Sequence, residues 1–180
     1  MKRYVALLRG INVGGNNKLP MKELTAELES LGCKNVGTYI QSGNAVFTSR
    51  ENDAVRLSHK ITAAIKKSHG FEPRVLLLTL EELETVVAAN PFPEAESDPK
   101  TLHVGFLANV PANPDLQTLE ELKTKSERFH LAGRLFYLHA PDGIGRSKLA
   151  ARAERLLGVS MTDRNWRTVC KLRDLAKADA

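Results

Sequence analysis

Two segments of this chain are apolar at consecutive positions, Tyr4-Val5-Ala6-Leu7-Leu8 and Val75-Leu76-Leu77-Leu78. A strand with one wet face alternates apolar and polar residues, whereas a run without alternation must be covered on both faces. Any fold that contains these two runs as strands therefore needs a layer on each side of its sheet.

The sequence between them completes a βαββαβ order. Arg3–Arg9 reads as the first strand, and Met21–Leu31 as an amphipathic helix with Leu24, Leu28 and Leu31 on one stripe and Gly32 as its stop. Val36–Gln41 and Asn44–Ser49 read as strands joined at Ser42-Gly43. Asp53–His69 is a second helix with Val55, Ile61, Ala64 and Ile65 turned inward and Gly70 at its end, and Arg74–Thr79 is the fourth strand. This is the split βαβ, or ferredoxin-like, arrangement. Thr79 then caps a short helix through Glu81–Ala89, because Thr-x-x-Glu is a capping-box spacing.

Asn90-Pro91-Phe92-Pro93 and the acidic run to Pro99 read as a linker, after which the order begins again. Thr101–Ala108 is a strand, Asp115–Lys125 a helix, Arg128–Leu131 and Leu135–His139 strands joined at Ala132-Gly133, and Ser147–Leu157 a helix. This second copy has no evident closing strand. Thr162 instead reads as the cap of a terminal helix, Asp163–Lys177, with Trp166, Val169, Cys170, Leu172 and Leu175 as its apolar contacts. The expected fold is α+β: ferredoxin-like units over residues 1–90 and 101–180, a linker at 91–100, the second unit degenerate, and a C-terminal helix. The two halves are expected to pack together, each covering the other's open sheet face.

Composition narrows the functional classes. No apolar run approaches the ~20 residues of a membrane span, and Met1-Lys2-Arg3 leads directly into a strand without a signal-peptide core, so the expected location is the cytoplasm, with no membrane partner. Cys33 and Cys170 lack a C-x-x-C partner and fit buried thiols in a reducing compartment. The histidines, His59, His69, His103, His130 and His139, show no metal-ligand spacing, so neither a metal nor a cofactor is expected. There is no G-x-S-x-G elbow, and nothing in the sequence supplies Ser42 with a base. Net charge is +5, and it is unevenly placed. Of the 26 Lys/Arg and 21 Asp/Glu, 10 and 5 lie in residues 134–180, which leaves 16 of each in residues 1–133. A local excess of this kind attracts anions.

The candidate chemistry sits where loops enter helices. The first such stretch, Arg9-Gly10-Ile11-Asn12-Val13-Gly14-Gly15-Asn16-Asn17-Lys18, combines residues that tolerate positive φ with nearby cations Arg9, Lys18 and Lys22. Its spacing is neither G-x-G-x-x-G nor G-x-x-x-x-G-K-[ST]. The second, Gly143-Ile144-Gly145-Arg146-Ser147-Lys148, pairs a Ser147 N-cap with Arg146 and Lys148; it is an anion cup in form, and also an ordinary capped turn. In the third, Arg164, Arg167 and Lys171 fall at i, i+3 and i+7 and would share a helix face with Thr168 between them. That stripe could track phosphates, or it could simply face water above a buried Trp166.

Arg9-Gly10-Ile11-Asn12-Val13-Gly14-Gly15, Gln41-Ser42-Gly43-Asn44, Gly145-Arg146-Ser147-Lys148-Leu149 and Thr162-Asp163-Arg164-Asn165-Trp166-Arg167-Thr168-Val169 together resemble a bacterial family known only as domain of unknown function 1697. The resemblance spans nearly the whole chain. It implies a cytoplasmic α+β protein of ferredoxin-like units and implies no activity.

The leading expectation is an anion-binding protein, with a nucleotide or nucleic acid as the phosphate-containing partner. The candidate contacts are Arg9, Gly10, Asn12, Gly14, Gly15, Lys18, Gln41, Ser42, Asn44, Gly145, Arg146, Ser147, Lys148, Arg164, Asn165, Arg167 and Lys171. If the two Gly-rich loops occupy equivalent ends of related halves, they converge with Arg164 and Arg167 on one basic cleft. An enzyme acting on a small phosphorylated or carboxylated metabolite, with Asn12, Gln41, Ser42 and Asn44 positioning it, is the second reading. An assembly protein with no small ligand is the third. The RNP strand of RNA-recognition domains is missing, since only Phe47 stands in the corresponding strand.

Overall fold

In the computed structural model, which describes residues 1–178, the first apolar run becomes β1 (Lys2–Arg9), a central strand hydrogen-bonded on both sides. It is followed by α1 (Met21–Ser30), β2 (Lys34–Tyr39), β3 (Asn44–Ser49), α2 (Ala54–His69) and β4 (Arg74–Leu78). The sheet order is β2-β3-β1-β4, with Tyr4 opposite Phe47 and Ala6 opposite Leu77. Tyr4, Ala6 and Leu8 form one core with Phe47 of β3, Leu24 and Leu28 of α1, and Leu57, Ile61 and Ile65 of α2. The alternate residues Val5 and Leu7 are also buried, so β1 is covered on both faces as its unbroken apolar run requires.

After α3 (Leu80–Ala88) and a 3-10 turn at Pro93–Ser97, the topology repeats in β5 (Leu102–Leu107), α4 (Leu116–Leu122), β6 (Arg128–Ala132), β7 (Leu135–His139), α5 (Lys148–Leu157) and β8 (Met161–Asn165). The second sheet has the order β6-β7-β5-β8, strand for strand that of the first. The last described element is α6 (Trp166–Ala178). Thr79 and Glu82 close the capping box at α3: Glu82 N–H donates to Thr79 Oγ1 at 3.2 Å, and Thr79 N–H to Glu82 Oε2 at 2.7 Å. The fold is α+β with two ferredoxin-like units. By their contacts they comprise Met1–Thr85 with the chain from Lys171 onward, and Val86–Cys170. Residues 91–100, read from the sequence as a linker, fall within the second of these.

Four expectations change. The second unit is not degenerate, because β8 closes it: Thr162-Asp163-Arg164-Asn165, read as a helix start, pairs antiparallel with β5. An edge strand bonded on one side tolerates polar residues, and its Thr and Asp imitate a helix cap. The helix cap is Asn165, whose Oδ1 accepts Thr168 N–H at 2.9 Å, and not Thr162. Arg164 therefore lies in a strand and shares no helix face with Arg167 and Lys171. Val55, expected inward, is 64% exposed, because the buried stripe of α2 is Leu57, Ile61 and Ile65 and Val55 sits about 200° round the helix from Leu57.

Candidate functional site

The Gly-rich stretch after β1 folds into a small hairpin of its own. Asn12 N–H donates to the Asn17 carbonyl at 3.1 Å and Asn16 N–H to the Val13 carbonyl at 3.0 Å. Gly14 and Gly15, at φ 57° and 79°, are the central residues of its turn, which requires both to be positive. Asn12, at φ 53°, clamps the hairpin in place. Its Nδ2 donates to the carbonyls of Leu19 (2.9 Å) and Gln41 (2.8 Å), and its Oδ1 accepts Leu19 N–H (2.8 Å). Asn17 Nδ2 donates to the Gly10 carbonyl at 2.8 Å. In the adjoining β2–β3 loop, the fully buried Asn44 donates from Nδ2 to the Tyr39 carbonyl (3.0 Å) and to Ser42 Oγ (2.9 Å).

The amides of Asn12 and Asn44 are thus committed to holding these loops in place. Gly10, Gly14, Gly15, Lys18, Gln41 and Ser42 are exposed, and Arg9 is half-buried. This neighbourhood also holds a strained residue: Ile40, β-branched and half-exposed, has φ 49°.

In the second unit, β7 and β8 both run antiparallel to β5, so both end beside its start: His139 pairs with Leu102 and Asn165 with His103. The turn after β7 and the end of β8 thereby meet at one end of the sheet. Within that turn Ile144–Arg146 make a 3-10 helix, and Ser147 Oγ accepts Ala150 N–H at 2.9 Å as the N-cap of α5. Arg146 and Lys148, on either side of Ser147, are exposed.

A cavity of about 320 Å³ opens between this turn, α5 and the strands. Phe136, Leu138, Ile144 and Met161 give it apolar walls, and Gly145, Ser147 and Asp163 also line it. Met161 lies across Gly105, where a Cβ would meet its Sδ at 2.3 Å, so only glycine lets that thioether rest on the sheet. Side chains alternate along β8, which turns Asp163 with Met161 toward the cavity and Arg164 to the other face. Asp163 Oδ2 meets His103 Nδ1 at 2.8 Å, and His103 Nε2 lies 3.1 Å from the Lys100 carbonyl. Both nitrogens of this buried ring are engaged, so it has none left to serve a substrate as base. Arg164 Nη1 donates to the Asp163 carbonyl at 2.8 Å. Burial pushes the Arg164 guanidinium down to about 10, against the opposing pull of the Asp163 carboxylate.

The structure therefore brings Gly145 and Ser147 together around one cavity, with Arg146 and Lys148 beside them, and leaves Arg164 on the opposite face. Asn165 serves as a helix cap, and Arg167 and Lys171 are exposed on α6. The premise that the two Gly-rich loops are equivalent does not hold. Gly10–Lys18 follows the first strand of its unit and Gly143–Lys148 the third, and antiparallel neighbours finish at opposite ends of a sheet. Asp163, His103 and Met161 were not among the candidate contacts, although Asp163 lies in the motif at 162–169 that carries the family resemblance; Gly105, a lone glycine inside an apolar strand, was a second signal.

Among the described residues no group of three His, Cys, Asp or Glu side chains is placed to hold a metal, and no helix is long and apolar enough to cross a membrane. A family model described as protein of unknown function (DUF1697) matches residues 1–137. The solved structure of conserved bacterial protein SP0830 from Streptococcus pneumoniae is similar at 28% identity and a TM-score of 0.72, covering 97% of this chain and 98% of that one. No curated protein matches the chain.

Proposed function

The chain belongs to the DUF1697 family, and from that premise we propose that it binds an anionic, phosphate-containing ligand, a nucleotide or a nucleic-acid strand. The observation that carries the reading is the Gly143–Lys148 turn. Arg146 and Lys148 are exposed and have no carboxylate partner among the described residues, and they flank a serine that lines a cavity. Lys18, Arg167 and Lys171 are exposed cations of the same kind. A cation held beside a concave surface and left unneutralised favours an incoming phosphate and raises its local concentration.

Thermal unfolding measured with inorganic phosphate, mononucleotides and short oligonucleotides, each over a series of salt concentrations, tests it. Phosphate-bearing compounds should raise the melting temperature, and the effect should shrink with salt. For a bound single strand the log–log slope should be about −0.7 for each phosphate contacted. Double replacement Arg146→Ala/Lys148→Ala should reduce the shift. No shift with any compound, or an unchanged shift in the double variant, would remove the reading.

A further inference from the structure

Resting on that phosphate-ligand reading, we propose that the cavity beneath α5 takes the base of a mononucleotide whose base carries an exocyclic amino group, with its phosphate at Arg146 and Lys148. The cavity's volume, about 320 Å³, is at the small end of ligand pockets and suits a single ring system. Phe136 and Leu138 project from the sheet on one side, Ala150 and Ala153 from the helix on the other, and the Met161 thioether completes a wall that favours an aromatic face.

The polar groups of this pocket are few and of opposite kind. Asp163 is an acceptor only, more than a third exposed, and held in place by the buried His103 through one oxygen. Its Oδ1 has no partner among the described residues. Ser147 Oγ already accepts Ala150 N–H, while its own O–H has no acceptor among the described residues. An acceptor and a donor on the walls of one apolar slot match the edge of a base that presents an amino group beside a ring nitrogen or a carbonyl. A base that lacks the amino group would leave the Asp163 carboxylate without that donor inside the occupied slot, which is where discrimination between similar ligands is greatest.

AMP and purine riboside 5′-monophosphate differ at that one group, so calorimetric titration of the full chain with each, beside inorganic phosphate, reads the proposal directly. AMP should bind at least about tenfold more tightly than purine riboside 5′-monophosphate. Asp163→Asn should abolish or invert that preference. Ala153→Ile, which puts a larger apolar side chain at the cavity wall and changes no polar residue, should eliminate AMP binding while inorganic phosphate still binds. Equal affinity of the native chain for AMP and purine riboside 5′-monophosphate would overturn the proposal, as would AMP binding undiminished by Ala153→Ile. If phosphate binds under either of those outcomes, the broader phosphate reading stands; if neither phosphate nor any nucleotide binds, both readings fail.

Discussion

Asn12→Ala would remove three hydrogen bonds at once, two given by Nδ2 to the Leu19 and Gln41 carbonyls and one taken by Oδ1 from Leu19 N–H, all between 2.8 and 2.9 Å. Each contributes ~0.5–1.5 kcal/mol net, and with the Gln41 bond at the surface the lower half of that range applies, giving about 2 kcal/mol for the set. Alanine must also adopt φ 53°, a left-handed conformation that costs it ~1 kcal/mol. The expected loss is therefore about 3 kcal/mol for Asn12→Ala and ~0.5–1 kcal/mol less for Asn12→Gly, which loses the bonds and keeps the backbone freedom. Urea unfolding followed by circular dichroism measures both, with a common slope required for the comparison. If Asn12→Ala were as stable as the native chain yet lost phosphate binding, Asn12 would be a ligand contact, and its assignment as a clamp on the first loop would be refuted.

Ile40→Asn should stabilise the protein by ~0.5–1 kcal/mol, because asparagine tolerates the left-handed conformation at φ 49° and a half-exposed isoleucine has little burial to lose; a lower urea midpoint would contradict this. His139 titrates below its ordinary range, held neutral first by burial and then by the charge of Arg128, whose Nη2 lies 3.2 Å from His139 Nδ1. The unfolded imidazole takes up its proton near pH 6.5 and the folded one only at lower pH, so this group's contribution is complete above about pH 6.5 and is lost as pH falls through the folded pKa. His139→Gln should flatten the fall of stability over that acid window, and an unchanged pH profile would remove His139 as its source.

How far the sequence discloses this molecule depends on how local the governing physics is. The βαββαβ order is legible because periods of 3.6 and 2, glycine stops and a Thr-x-x-Glu box are all set by neighbours a few residues apart. β8 escapes because its partner strand supplies the reason for it: Met161–Asn165 has no strand-like pattern and pairs only with β5. The candidate site divides in the same way. Gly14-Gly15 announces a turn, and Ser147 announces a cap. That the Asn12 amide is committed to Leu19 and Gln41, or that Asp163 is fixed by a histidine sixty positions earlier, follows only once the strands are in register.

The repeated topology also explains why a cavity exists in one unit at this place. α2 and α5 each follow the third strand of their sheet and bury one stripe at i, i+4 and i+8: Leu57, Ile61 and Ile65 in the first unit, Leu149, Ala153 and Leu157 in the second. The outer positions are large in both. At the centre isoleucine is matched by alanine, and Ala153 lines the cavity. Across from it the sheet is thinned as well, since Gly105 carries no side chain and Met161 lies flat over it. A helix and a sheet held apart by large residues at both ends of the stripe cannot collapse onto small ones in the middle, so the void persists. The first unit fills the corresponding layer with Ile61 and keeps its polar loop closed on itself through Asn12; the second leaves the layer open beside Arg146 and Lys148, which have no carboxylate partner among the described residues. On these physical grounds the ligand is sought in the second unit, and Ala153→Ile is the substitution that makes its core most like that of the first.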